Sequence, residues 1–433
     1  MPDAPAPAGT PRRVFVHCVG SSAGGLDRYA ERALVLASGD DLVCVPREVE
    51  PEYLGFLSAL GLGPAAANVV PLPPGNGDGS ASLPLRMLQA TGLVERLASR
   101  LDGAAISLDP CAGTPDVFAL ARAMERAVGR PVQVHAGPPD VSALIHQRHI
   151  MRERAEALGI PVPAGEVAEL ASPHGRRRRD LEPLRRAIER QLRATGRVVV
   201  RGAVADPPAR YVIEPGGDDC EDVLRRLALR SDNRVYLVES LVDATVCSTI
   251  HLVIDAGTGV IRRLGTRDRR MGRGLGSAGS RSPSSARTSE EMEEWALAFA
   301  GWLRDAGYVG PLGFDFVEYR DPGTGRPRAV LAGVDPRRGE GSYALALSRS
   351  LGVTAFVSGV AAVRIPGFVR LRQALGGLLY DPDRGSGIVP YATGCLEQGR
   401  GPLVALGRDR LHASELLAKA QAAVDIPAGR TLS

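Results

Sequence analysis

Lysine is nearly missing from this chain: Lys419 is the only one among 53 lysine-plus-arginine residues in 433 positions, and the rest are arginine. With abundant alanine, glycine and proline, this suggests a GC-rich genome such as an actinobacterium's. An arginine standing where another protein carries lysine is therefore accounted for by composition. Long apolar runs are lacking too, which excludes a membrane span. The opening MPDAPAPAGTPRR has no apolar core of a signal peptide, so a cytoplasmic location is expected. The six cysteines form no CxxC pair and no zinc spacing, and read as reduced, buried thiols. The seven histidines show no HxH or HExxH spacing, and His251 alone, on an alternating strand, invites a test. No GxSxG or catalytic-cysteine context occurs.

Charge is also scarce in net terms. A formal +4 requires no polyanionic partner, and the run Arg176–Arg179 lacks interleaved aromatics, so it reads as a solvated helix start rather than a nucleic-acid contact. The glycines of Cys18–Gly25 lack GxGxxG spacing and read as a tight strand-to-helix turn.

What is present is a chain long enough for about three domains, with 44% hydrophobic residues to bury in cores. Strand and helix patterns alternate from Arg13 to His135, which implies a parallel sheet covered on both faces. A single helix is expected over 84–100 and another over 141–158. Strands follow at 197–201, 210–213 and 235–239, then at 248–255 and 260–266. A Gly/Ser/Arg-rich loop over 271–285 leads into a helix that Thr288 or Ser289 starts. Expected units are 1–139, 140–239, 240–351 and 352–433.

The densest chemistry lies in a hairpin. Gly313–Tyr319 alternates Phe314 and Phe316 with Asp315 and Val317, turns at Asp321-Pro-Gly-Thr-Gly, and returns through Arg328–Val334 into Asp335-Pro-Arg-Arg-Gly. A carboxylate inside an apolar strand is costly unless a cation or donor faces it.

Taken in order, these segments resemble the ATP-grasp superfamily, and within it the pheganomycin-type peptide ligases. The resemblance implies a fold class: α/β, an N-terminal pre-ATP-grasp parallel-sheet domain followed by a two-lobed α+β ATP-grasp fold. IHQRHIMRERAEALGIPVPAGE looks like the family's nucleotide-lysine helix, with Arg148 at that position. RVVVRG is similar to the strand of the second lysine, here Arg201. LVESLV resembles the interlobe strand that receives adenine, here Glu239 to Leu241. GSRSP places Arg281 as the arginine at the acyl carboxylate, on a loop that folds over the cleft. GFDFV matches the metal-aspartate strand at Asp315, and AGVDPRRGEG looks like the second metal element, with Asp335, then Arg337 as a further catalytic arginine.

The resemblance implies ATP and Mg2+, an amino-acid-like carboxylate and an amine or peptide as substrates, and peptide-bond formation through an acyl phosphate. It implies no nucleic acid or membrane partner, and leaves a homodimer open. Three departures stand beside it. Arginines replace both nucleotide lysines, with a larger and planar head. The loop Gly202–Pro208 carries prolines that cannot donate backbone N–H groups. Gly333 stands where a bridging magnesium carboxylate is expected, with Asp335 and Glu340 as nearby substitutes. The alternative is a degenerate ATP-grasp protein that does not use ATP and binds a partner, or uses an acyl donor activated elsewhere. Asp315, Arg281, Arg201 and Glu239 each also read plainly as structural or solvated residues.

Overall fold

The computed structural model describes residues 11–17, 26–73, 81–101, 105–170, 178–204, 210–230, 233–272 and 277–424. The turn at Cys18–Gly25, the first two arginines of the run at 176–179 and the segment 205–209 lie outside them. No described helix is long and apolar enough to cross a membrane.

The first layer is the expected parallel sheet. Its strands run in the order Val69–Pro71, Leu42–Val45, Arg12–Val16, Ile106–Pro110 and Val132–Val134, each parallel to its neighbour. The central strands read as apolar runs because helices cover them. The helix expected over 84–100 is two helices, Leu83–Gln89 and Leu93–Arg100. Gly92 between them takes a left-handed φ of 67°, a turn that apolar periodicity alone does not reveal.

The second sheet is antiparallel, in the order Tyr211–Ile213, Val198–Gly202, Val235–Ser240 and Gly165–Glu169. Val198, Val200, Tyr236 and Val238 face a core completed by the helix Glu182–Thr195. By strand alternation Arg201 and Glu239 point the other way.

The third sheet has eight antiparallel strands: Pro327–Asp335, Gly310–Arg320, Ala244–Ile254, Ile261–Met271, Ser277–Ser282, Ala355–Ala362, Arg400–Gly407 and Gly387–Pro390. The strands after residue 352 thus continue the sheet that carries Asp315. One face packs Ile250, Leu252, Phe314 and Phe316 against Met292, Phe299 and Leu303 of the helix Ser289–Asp305.

That helix starts where expected, with Thr288 in the N-cap position, but a different residue caps it. Thr288 makes no side-chain cap. Glu318, buried on the neighbouring strand, accepts from the backbone N–H of Arg287 (2.6 Å) and Thr288 (2.9 Å) and from the Thr288 hydroxyl (2.9 Å). A carboxylate at a helix N-terminus meets both the orphan donors and the dipole. Glu318→Leu should therefore lower stability by about 2–4 kcal/mol, read by denaturant unfolding. A loss under about 0.5 kcal/mol, the size of an ordinary surface change, would mean that the helix start does not depend on Glu318.

Candidate active-site cleft

The face of the large sheet opposite the Phe314 core carries polar residues at alternate positions of adjacent strands. They are Cys247, Thr249 and His251 on one strand, Arg267 and Arg269 on the next, and Ser280 beyond. On the other side stand Asp315, then Gly333 and Asp335. Pairing places Thr249 opposite Asp315 and Asp315 opposite Gly333.

Asp315 does have the donors that its burial requires. Thr249 Oγ1 donates to it at 2.6 Å and Arg269 Nη1 at 2.8 Å. Asp335, more exposed, lies 3.6 Å from Arg337. Across the cleft, the helix expected over 141–158 breaks at Gln147, whose ψ of 104° is extended. The break turns the Arg148 N–H toward Ala203 O (2.8 Å), while Arg148 Nη1 donates to Gly202 O (2.7 Å). Burial and the nearby Arg201 lower the Arg148 pKa. Arg148, Arg201, Arg210, Arg269, Asp315 and Asp335 line one cavity of about 290 Å3 between the sheets.

Glu239 is 3% exposed and fully committed. Arg152 Nη1 donates to Oε1 at 3.1 Å, and Arg201 donates to Oε2 through Nε (2.9 Å) and Nη2. Arg201 Nη1 reaches Ala332 O at 2.9 Å, which ties the two lobes together. The Leu241 N–H donates to Arg197 O (3.2 Å). The groups expected to meet adenine thus already hold protein partners.

Arg281 is a correction. The segment expected as a loop over the cleft contains the strand Ser277–Ser282, paired on both sides, and Arg281 sits opposite Asp268 and Val357. Strand alternation puts Ser280 on the cleft face and Arg281 on the reverse face. There its Nε lies 3.6 Å from Asp268, beside Arg410. Asp268, fully buried, anchors that side by accepting from Ser248, Ser284 and Ser285. Arg281→Ala should leave turnover within about threefold of wild type, because its side chain stands on the reverse face of the sheet beside Asp268. A hundredfold loss of turnover in a variant of unchanged melting temperature would restore it to the site.

Composition hid other residues. Arg267 and Arg269 are separated by two positions on a strand, a spacing that puts both on one face, but the surrounding arginines masked the signal. Arg267 is 7% exposed, and its Nε donates to His251 Nε2 (2.9 Å) and Nη1 to Ser280 Oγ (3.0 Å). Burial, then Arg267, hold His251 well below an ordinary imidazole pKa, so it stays neutral and accepts. Arg267 and Arg337 line a second cavity of about 270 Å3, which shares Arg269, Asp315 and Asp335 with the first. This second cavity borders the N-terminal domain. There Arg338 donates to both Asp109 oxygens at 3.1 Å, His17 Nε2 lies 3.4 Å from Asp109, and Tyr343 OH lies 2.9 Å from His17 Nδ1.

A family profile for the pre-ATP-grasp domain matches residues 30–125. Among solved structures, an ADP complex of N5-carboxyaminoimidazole ribonucleotide synthetase covers 96% of this chain and 97% of its own, at 14% identity and a TM-score of 0.55. Biotin carboxylase from Campylobacter jejuni, in a beta-gamma-ATP complex, covers 96% and 92% at 12% identity and a TM-score of 0.58. The N5-carboxyaminoimidazole ribonucleotide synthetase of Thermus thermophilus covers 96% and 99% at 15% identity and 0.53. The fold is the ATP-grasp fold. A search of curated proteins finds no match.

On this fold, magnesium would fall to Asp315 and Asp335. Asp315 already holds Thr249 and Arg269, and among the described residues no three His, Cys, Asp or Glu converge, so the two carboxylates would hold the ion only together with the nucleotide's phosphates. Arginine, not carboxylate, dominates the walls.

Proposed function

We propose that this chain is an ATP-dependent carboxylate–amine ligase, forming a peptide or amide bond in specialised metabolism through an acyl phosphate. The acyl substrate is an amino-acid-like carboxylate and the acceptor an amine of an amino acid or peptide. One observation carries the reading: two cavities meet at a shared wall of Arg269, Asp315 and Asp335. A phosphate donor and a carboxylate must meet in this way for transfer, held apart from bulk water and close to fixed positive charge. Arg148, Arg210 and Arg269 face the phosphates, and Arg337 stands at the end of the shared wall. No step is assigned to a metal.

The test is release of ADP and phosphate when the protein is supplied with ATP and a panel of amino acids and short peptides. Coupled release with an amide product upholds the reading. Its absence across the panel, with no nucleotide bound, ends it.

A second reading has its own support. Glu239 is closed off by Arg152 and Arg201, and the Leu241 N–H by Arg197 O. A site so satisfied favours a degenerate ATP-grasp protein that does not use ATP, serving as a binding protein or using an acyl donor activated elsewhere. Nucleotide binding separates the two.

A further inference from the structure

The second cavity contains groups that the first does not explain. The Arg32 Nε, on the helical segment Leu26–Val35, is buried without a hydrogen-bond partner, and the Tyr29 hydroxyl on the same segment has only the Cys395 thiol beside it. Each residue is only 7% exposed and lines the cavity. Arg32 is not loose: its guanidinium lies 4.5 Å from the Tyr343 ring centroid, which fixes its plane. A buried donor left unpaired is costly, and such orphans in a folded protein point to a ligand group.

Arg267 faces them from the sheet. His251 and Ser280 take its Nε and Nη1, so the guanidinium is held in one orientation on the cavity wall. Gly341 makes this placement possible, since a Cβ there would lie 1.8 Å from Arg267 Nε.

Charge sets the ligand's valence. Arg269 is answered by Asp315 and Arg337 by Asp335. That leaves Arg32, Arg267 and Arg400 on the wall with one further carboxylate, Glu340, whose Oε1 lies 3.3 Å from the Tyr391 hydroxyl. Three cations against one carboxylate leave two positive charges. A cavity of about 270 Å3 lies below the range that drug-sized ligands fill.

We infer that this cavity binds a small-molecule dianion, one anionic group on Arg32 and Tyr29 and the other on Arg267. The shared chemistry admits two sources, a dicarboxylate or a phosphate-bearing acid. The inference deepens the ligase reading by seating its acyl substrate, and rests on that reading only for the ligand's role as a substrate.

Binding is measured by calorimetry at low salt without nucleotide, using succinate, inorganic phosphate and acetate. The expected result is one site per chain that takes succinate or phosphate at least tenfold more tightly than acetate. Arg32→Gln should weaken that binding by about tenfold to a hundredfold, as for loss of a charged hydrogen bond. Tyr29→Phe, which keeps the packing and the melting temperature, should weaken it by about threefold to tenfold. Preference for succinate identifies a dicarboxylate and preference for phosphate a phosphorylated acid. Binding of neither anion, equal binding of acetate, or unchanged affinity in Tyr29→Phe overturns the inference. Dianion binding in a protein that releases no ADP would leave this site standing while the ligase reading falls.

Discussion

Asp109→Asn should cost about 3–5 kcal/mol of stability. Asp109 is buried and the Arg338 side chain nearly so, and Arg338 donates to both carboxylate oxygens. Removing the negative charge strands a guanidinium between the N-terminal domain and the segment after Asp335. Burial alone would raise the Asp109 pKa; Arg338 first, then His17, outweigh it and hold the carboxylate well below its ordinary range. The double change Asp109→Leu with Arg338→Met should cost less than the single one, since no unpaired charge then remains. Equal losses would show that packing, not the ion pair, dominates there.

The same junction carries a pH dependence. Burial pushes His17 down to about 4, despite the opposing pull of Asp109. In the unfolded chain the imidazole titrates near ~6.5. Between these values the unfolded state takes up a proton that the folded state refuses, so stability falls as pH falls. The loss approaches about 3 kcal/mol by pH ~4. Above ~6.5 the histidine is neutral in both states and contributes no slope. The depressed Asp109 carboxylate acts in a lower window, where stability is lost as pH falls through its folded pKa. His251 has the same sign as His17, so the difference between wild type and His17→Gln, measured from about pH 7 to about pH 5, isolates His17. Parallel curves would contradict a neutral buried His17.

The second large effect is at Gly341. Local propensity alone would make Gly341→Ala stabilising by about 1 kcal/mol, since the position lies in the helix Glu340–Ser350. Packing reverses the sign. The new methyl would meet Arg267 at Nε, Cδ and Cζ, all within 2.4 Å. Arg267 cannot swing aside without giving up His251 and Ser280. The expected outcome is a net loss of about 1–3 kcal/mol from overpacking, with anion binding weakened at least tenfold. A more stable variant that binds anions normally would show that Arg267 does not need its present seat.

Much of this architecture was legible. Strand–helix alternation gave the parallel sheet, in which the helix Pro115–Val128 carries proline in its first turn and ends at a left-handed Gly129. The hairpin placed Asp315 and Asp335 on one wall, because alternation along paired strands is a short-range rule. What the sequence hid was long-range. The break at Gln147 is matched to Ala203, which lies at the end of a distant strand and receives the Arg148 N–H. The cap of the helix Ser289–Asp305 comes from Glu318 on a later strand. Ser277–Ser282 reads as a loop by composition, yet it pairs with Ile261–Met271 and Ala355–Ala362. That pairing turned Arg281 away from the cleft. Arg267, Arg269 and Arg32 were lost among many arginines; only three-dimensional placement separates them from solvated ones.

For ligation, the cleft between the sheets must receive a nucleoside triphosphate. Calorimetric titration with a non-hydrolysable ATP analogue, with magnesium and again with chelator, tests it most directly. The expected result is saturable binding of one nucleotide per chain, only weakly sensitive to the chelator because arginines would meet the phosphates, and at least tenfold weaker in Arg148→Ala. No binding in either buffer would contradict it and leave the cleft, closed around Glu239, to a ligand other than ATP.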